Sequence, residues 1–522
     1  MDYLVHHMLR ASAQRFPGKE ALVHGTQRFT YQELAQRVEA LASGLRCAGV
    51  QRGDRVGIYL EASVPQVISI FAVSRAGGVF VPINSELFPD QVTHIVRDCG
   101  MKALIMPAWR APDLGGALAG IPALQFIVTT GAVPESVQLP VHAFESLVST
   151  EPDRGRPDVA ISKDLAAILY TSGSTGKPKG VMLSHANVMA GATIVSTYLG
   201  ITERERILAA LPFSFDAGLN QLTTAIQQGG TIVLIKFTFG REVVQKLVDE
   251  QITGLAGVPT LWSLLAQPNS GLHKHRLSNL RYITNTGGAM PQTVLKILRE
   301  HLPSTSVFLM YGLTEAFRST YLPPEELDRR PTSMGKAIPD TEILVINEHG
   351  RECKPGEIGE LVHRGPTVSM GYWGNPEATA KVLRPNPLAP AELGDQERVC
   401  YSGDLVRKDE EGFLYYLGRR DTMIKCSGHR ISPTEVEEVL FQSGQVRQAA
   451  VIGIPDEVMG QVIKAFVVAR DGSPLEVPKL LAYCGERVPR YMIPRRIDVL
   501  DELPKTTSGK VDYPALRRRE GL

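Results

Sequence analysis

The sequence predicts an α/β protein. A large N-terminal domain comprises two parallel-sheet α/β subdomains plus a β-barrel-like subdomain, and a small α+β C-terminal domain follows. Three observations lead there. From Asp54 to about Gly312, short apolar runs alternate with amphipathic segments. After Gly335 the segments become short, strand-like and separated by turns. Beyond Gly418-Arg419-Arg420-Asp421 helical and strand signals resume together. Alternation of the first kind covers mostly parallel sheets with helices on both faces. At 522 residues the chain exceeds one ordinary domain, and the boundary is set at Asp421, giving domains 1–420 and 421–522.

Taken in order, the start MDYLVHHMLRASAQRF lacks an apolar core long enough for a signal peptide. Val67 to Ile83 is the most apolar stretch, but Ser69, Ser74, Arg75 and Gly77-Gly78 interrupt it. It reads as a buried helix followed by a strand, with no membrane span. Further strands are expected at Arg55–Leu60, Ala103–Met106, Phe126–Thr130, Ala166–Tyr170, Ile207–Leu211, Thr231–Ile235, Tyr282–Asn285 and Val307–Tyr311. Helices are expected at Arg241–Gln251 and Gln292–Leu302, each with apolar residues on one face. Glu342–Ile346, Gly359–His363, Val399–Tyr401 and Phe413–Tyr416 are the strands of the β-rich part. Ser432-Pro433-Thr434-Glu435 marks a helix start, with Ser as N-cap and Pro first in the helix. Glu151–Asp158 and Pro385–Gln396 read as loops.

Composition narrows the function classes. Hydrophobic content of 43% and charged content of 21% suit a soluble globular protein. A formal charge of +1 supplies no overall pull toward nucleic acid or acidic membranes. The basic run Arg517-Arg518-Arg519 reads as a solvated helix end. Six cysteines without a CxxC pair are poor material for a disulfide framework or zinc site. A cytoplasmic location is expected.

The densest chemical signal is Thr171-Ser172-Gly173-Ser174-Thr175-Gly176-Lys177-Pro178-Lys179, directly after an apolar strand. Its glycines relax the backbone, its hydroxyls and N–H groups donate, and its lysines bring positive charge, which together suit a polyphosphate. The spacing is not that of the Walker loop, which has four residues between its glycines and Ser or Thr after its Lys. The alternative is a flexible surface turn; the density of donors favours phosphate.

Further motifs follow in order: Pro212-Phe213-Ser214-Phe215-Asp216-Ala217-Gly218, Gly287-Gly288-Ala289, Tyr311-Gly312-Leu313-Thr314-Glu315, Gly371-Tyr372-Trp373, Tyr401-Ser402-Gly403-Asp404, Gly418-Arg419-Arg420-Asp421 and Ser508-Gly509-Lys510. This ordered set resembles the adenylate-forming superfamily of acyl-CoA synthetases, peptide-synthetase adenylation domains and luciferases. The resemblance spans nearly the whole chain. It implies that a carboxylate attacks the α-phosphate of ATP, and that a pantetheine thiol, on CoA or a carrier protein, then displaces AMP. By the same resemblance, Lys510 is the adenylation lysine, Thr314 an α-phosphate contact and Glu315 the Mg2+-linked carboxylate. Thr171, Ser172, Gly173, Ser174, Thr175, Gly176 and Lys179 line the phosphates. Gly288, Ala289 and Tyr311 pack adenine, Gly312 belongs to the same nucleotide site, and Asp404 and Arg419 reach the ribose. Asp421 is the implied hinge of the small domain.

The acid is less clearly marked. Phe215, Asp216, Ala217, Asn220, Thr284, Gly287, Met310, Arg318 and Ser319 are pocket candidates. Phe215-Asp216-Ala217-Gly218 is similar to the pattern of amino-acid-activating domains, whose Asp grips an ammonium. A pocket carboxylate is costly unless a cation pairs with it. Otherwise Asp216 caps the next helix or pairs with Arg318. Asp216 and Arg318 favour a polar acid, either an amino acid or a short polar or dicarboxylic one. A fatty or aromatic acid with CoA as sole acceptor is the alternative. The stretch FLMYGLTEAFRSTYLPPEELDRRP resembles exosortase-associated acyl-CoA ligases, which implies a stand-alone acyl carrier protein as partner.

Overall fold

The computed structural model describes residues 2–132, 138–153, 155–171, 178–420, 422–426, 429–456, 459–470, 475–506 and 509–522. Four sheets carry the architecture. The first has seven strands in the order Val141–Ala143, Phe126–Thr130, Ala103–Pro107, Arg55–Ile58, Val79–Pro82, Leu165–Thr171 and Lys179–Ser184. All its pairings are parallel except the last, where Leu165–Thr171 and Lys179–Ser184 form a hairpin. The second has nine strands, with Gly254–Gly257, Tyr282–Asn285 and Ser306–Leu313 in its parallel middle. The N-terminal hairpin Glu20–His24 and Gln27–Thr30 extends one edge of it, paired parallel with Thr231–Leu234.

The two sheets share one core. Val56, Ile58, Phe80 and Ile105 from the first, and Leu22, Ile207, Ala209 and Ile232 from the second, pack with helices Val5–Arg15, Tyr31–Cys47, Val64–Ala76, His185–Leu199 and Asp216–Gln228. Helix Val64–Ala76 is buried on every side, which is why its sequence is apolar almost throughout. Gly77 ends it in the left-handed region at φ +86.

The β-rich segment is a five-stranded antiparallel sheet of Glu342–Ile346, Ile358–Arg364, Arg398–Lys408 and Leu383–Pro385, with Leu414–Arg419 alongside Arg398–Lys408. The smaller C-terminal domain has its own sheet and its own apolar core around Val451, Ala465, Val467, Leu440 and Leu480. Helix Pro433–Gln442 starts where expected, but the Ser432 hydroxyl makes no cap bond. Pro433, with its preset φ, starts the helix instead.

Gly254–Gly257 was not expected as a strand, because its Gly-Leu-Ala-Gly sequence is weak β material. Packing overrides that weakness. A Cβ on Gly254 would lie 2.3 Å from the Tyr282 ring, and one on Gly257 2.6 Å from Trp262. Large neighbours occupy the space that side chains would need.

Candidate active site

The motif residues gather at the C-terminal ends of the parallel strands, where open α/β sheets place their ligand sites. Strand Tyr282–Asn285 runs into Thr286-Gly287-Gly288-Ala289. The Asn285 amide donates to the Gly288 carbonyl at 2.8 Å and shapes the turn. Gly287 adopts φ +77, the left-handed region that favours glycine. Gly288 and Ala289 are exposed.

Strand Ser306–Leu313 ends in a tight hairpin with Ala316–Leu322. Leu313 pairs with Ala316, so Thr314 and Glu315 form the turn itself and begin no helix. A Cβ on Gly312 would meet the Arg318 backbone at 2.9 Å, so this bend requires glycine. The Tyr311 hydroxyl donates to Asp404 Oδ2. Burial first, and the Asp404 charge second, push the Tyr311 phenol well above its usual range. Arg419 Nη1 lies 3.2 Å from Asp404 Oδ1. Tyr311, Asp404 and Arg419 thus form one cluster. Each oxygen of Asp404 already has a partner in it, though carboxylate oxygens keep further acceptor sites.

Glu315 accepts from the Tyr372 hydroxyl. Lys179 Nζ sits 5.7 Å from the centre of the Tyr372 ring. Backbone bonds lay Gly371-Tyr372-Trp373 along the hairpin: Met182 N donates to Gly371 O at 2.9 Å and Trp373 N to Gly180 O at 2.8 Å. Thr171 and Lys179 pair directly across that hairpin. Ser172, Gly173, Ser174, Thr175 and Gly176, expected to line the phosphates, lie outside the described residues, as does the expected hinge Asp421.

On the other side, helix Asp216–Gln228 begins after Phe215. A Cβ on Gly218 would fall 1.9 Å from the Pro212 carbonyl oxygen, so only glycine lets the helix dock there. Ala217 packs with Leu211 and Ala256. Asp216 is 6% exposed. It neither caps the helix nor pairs with Arg318, and its Oδ1 has no hydrogen-bond partner among the described residues. Asn220 is one helical turn further on, and its Nδ2 is likewise buried without a partner among them. Arg318 is 3% exposed and sits at φ +61, a conformation that costs a non-glycine residue about 1 kcal/mol or more. Its Nη1 donates to Thr286 Oγ1 at 2.9 Å, while its Nε has no partner among the described residues.

Met310 accepts through sulfur from the Tyr198 hydroxyl at 3.4 Å, and Tyr198 stacks on Tyr321 with ring centres 4.3 Å apart. Ser319 bonds His363 Nδ1 at 2.9 Å, and Thr367 holds the other ring nitrogen at 3.1 Å. Burial lowers His363 to about 3, so it stays neutral. Ser319 is therefore tied into a neutral buried network, unlike its neighbour Arg318. Thr284 is buried in its strand.

Lys510 arrives from the C-terminal domain. Its Nζ is 5.8 Å from the centre of the Phe215 ring. Its Cε is 3.5 Å from where a Gly287 Cβ would stand. Phe215, Gly287 and Lys510 therefore join the two sides of the site. Sequence reading missed Thr286, Tyr198 and the Tyr372–Glu315 contact. Tyr372 had a signal in its Gly-Tyr-Trp motif; the other two had none.

A second buried cluster stands apart. Asp158 accepts from His6 Nε2 at 2.8 Å and His7 Nε2 at 2.9 Å, and pairs with Arg75 at 3.0 Å and Arg10 at 3.2 Å. Among the described residues this is the only grouping of His, Cys, Asp and Glu with ligand atoms close enough for a metal. Two guanidiniums on its carboxylate already supply the cation, so it reads as a structural clamp. No helix among the described residues is long and apolar enough to cross a membrane.

The chain matches the AMP-binding enzyme family over residues 9–373 and the AMP-binding enzyme C-terminal domain over residues 435–510. It is 34% identical to a feruloyl-CoA synthase of Amycolatopsis sp over 518 residues, covering 98% of this chain and 97% of that one. It is 31% identical over 515 residues to a delta-poly-L-ornithine synthetase of Acinetobacter baumannii, covering 97% of this chain and 36% of that protein. Among solved structures, the anthranilate CoA ligase AuaEII in complex with anthranoyl-AMP superposes with a TM-score of 0.90 at 27% identity, covering 99% of this chain and 97% of that one. The chain belongs to the AMP-binding enzyme family and is an AMP-forming acid–thiol ligase.

Proposed function

We propose that this AMP-binding enzyme uses ATP to adenylate a polar acid, short or amino-bearing, and then passes the acyl group to a pantetheine thiol of an acyl carrier protein or CoA. The observation that carries the choice of acid is the set Asp216 Oδ1, Asn220 Nδ2 and Arg318 Nε. All three are buried and without partners among the described residues. Burying such groups unpaired costs about 1–3 kcal/mol each, which a substrate bearing matching polar groups would recover. An apolar acyl chain would leave the cost in place.

The rest of the site gives each chemical need a residue. Carboxylate and ATP repel each other, so charge accumulating at the α-phosphate needs a cation in place. Lys510, exposed at the meeting point of Phe215 and Gly287, supplies it. Thr314, in the hairpin turn, donates to the same phosphate. Asp404 accepts from the ribose while Arg419 and Tyr311 fix its orientation. Glu315, held by the Tyr372 hydroxyl, is an oxygen ligand of the kind Mg2+ takes alongside nucleotide phosphates, and the ion would neutralise phosphate charge there. Thr171 and Lys179 close the base of the phosphate loop. The small domain, bounded at Asp421, swings away after adenylation so that the thiol can approach. The likeness to relatives named for ferulate and anthranilate keeps an aromatic acid with CoA alone as the second reading.

ATP–pyrophosphate exchange across amino, dicarboxylic, aromatic and fatty acids tests the choice. Exchange is expected with polar acids, followed by a thioester detected by mass with CoA or a carrier protein. Faster exchange with aromatic or fatty acids would favour the second reading. No exchange with any acid from folded protein would remove both.

A further inference from the structure

Lys510 is tied to the described segment that precedes it. Lys505 and Val511 form a bridge, Thr506 N donates to Lys510 O at 2.7 Å, Lys510 N donates to Thr506 Oγ1 at 3.2 Å, and Asp512 N donates to Pro504 O at 2.8 Å. Segments joined in this way turn together, so the angle at which they present Lys510 is set at their base. The base is helix Tyr513–Arg519, which Asp512 caps through Ala515 N at 2.9 Å.

That helix is tied down at two points. Past its far end, Glu520 pairs with Lys464 at 2.7 Å, and Lys464 also pairs with Asp498 at 2.9 Å. At its near end, three residues from Lys510, the Tyr513 hydroxyl donates to Glu437 Oε1 at 2.7 Å. Glu437 lies on helix Pro433–Gln442 and also accepts from Val451 N at 2.8 Å. It is 8% exposed, and no cation pairs with it among the described residues. A buried carboxyl without a cation is poor stabilising material. Its position at the root of these segments is what distinguishes it.

We infer that Glu437 and Tyr513 are positioning residues for adenylation, holding Lys510 at its working angle. The inference rests on Lys510 being the adenylation lysine. The pair also responds to pH. Burial pushes Glu437 up to about 7, partly offset by its two hydrogen bonds. From the surrounding elements, Tyr513 faces it directly, Tyr416 acts on Tyr513, and the buried Cys484 lies on the helix packed alongside. On its own helix, Glu435 interacts with Arg407 and Glu438 instead. The bonds from Tyr513 and Val451 N favour the carboxylate, but the cost of burying it outweighs them, so as pH rises through about 7 the closed contact loses stability against an open, hydrated one.

The test uses the full chain, with both half-reactions measured separately: pyrophosphate exchange, and thioester formation from a supplied acyl-adenylate. Lys510→Ala is the reference. Tyr513→Phe keeps the ring in its apolar contacts and removes only the hydroxyl. It is expected to lower exchange kcat about tenfold, with KM for ATP and the thioester rate within about twofold of wild type. Glu437→Gln keeps an oxygen for both donors and cannot ionise. Its exchange should stay near wild type at neutral pH, and its rate relative to wild type should climb severalfold between about pH 6 and 8.5. Normal exchange in Tyr513→Phe, equal loss of both half-reactions, or a Glu437→Gln ratio flat across pH would each overturn the inference. Should Tyr513→Phe not fold, the Glu437→Gln ratio alone decides. If Lys510→Ala itself retains exchange, the reading of Lys510 fails, and the positioning role goes with it. If only Lys510→Ala is impaired, the anchor alone is wrong.

Discussion

Asp158 and Asp216 are both largely removed from solvent, at 13% and 6% exposure, yet their surroundings are opposite. Asp158 gathers His6, His7, Arg10 and Arg75, and in doing so ties helix Val5–Arg15 and helix Val64–Ala76 to the stretch before the phosphate-loop strand. Asp216 has no ion pair among the described residues and keeps an oxygen without a hydrogen bond. A buried charge with every partner supplied by its own chain serves the fold. One left without a partner among the described residues is a candidate contact for a bound ligand.

Replacing each aspartate probes that contrast most directly. Asp158→Ala leaves two buried imidazoles without their acceptor, while Arg75 keeps Glu39 and the Arg156 carbonyl, and should cost about 3 kcal/mol of unfolding free energy. An unchanged denaturation midpoint would break the comparison. Asp216→Ala removes a carboxylate whose burial is offset only by its place in the first turn of its helix, so stability should change by less than about 1 kcal/mol. Its effect should fall on selectivity: exchange with amine-bearing acids drops by about 2 kcal/mol of transition-state free energy, or roughly thirtyfold, while other acids change little. An unaltered acid profile would remove the ammonium reading and leave the Arg318 side of the pocket to choose the acid.

Acid should weaken the Asp158 cluster first, by a smaller amount. Burial lowers His6 to about 4, with its bond to Asp158 only partly offsetting this. An unfolded chain takes up the proton that the folded imidazole refuses, so this stabilisation is complete above about pH 6.5 and drains as pH falls toward 4. Asp158 itself, held far below the usual carboxylate range chiefly by the His6 hydrogen bond, adds its loss only at still lower pH. Hydrogen exchange of residues 5–15 should accelerate across the His6 window, ahead of the helix Asp216–Gln228. Simultaneous loosening of both would mean that the clamp is not a separate unit.

Much of the architecture was legible in the residues. Phe126–Thr130, Tyr282–Asn285 and Glu342–Ile346 form strands with the expected bounds, and Val64–Ala76 followed by Val79–Pro82 is the expected helix and strand. Apolar patterning at the right period carried these. Gly254–Gly257 escaped because its reason for being a strand lies in Tyr282 and Trp262, side chains from other segments. The stretch Glu151–Asp158 read as a plain loop, since nothing local to Asp158 announces four partners drawn from two distant helices.

The candidate site divides in the same way. The order of the motifs, through the resemblance it carries, pointed to adenylation and to Tyr311, Asp404, Arg419, Glu315 and Lys510 as its candidate residues. Only the folded chain brings Tyr311 to Asp404, 93 residues away, or Tyr372 to Glu315 across 57. Local sequence dictates propensity, period and the glycines that bends require. Which polar atoms find partners among the described residues, as at Asp158, and which do not, as at Asp216 Oδ1, Asn220 Nδ2 and Arg318 Nε, depends on long-range packing. The tertiary structure alone decided that.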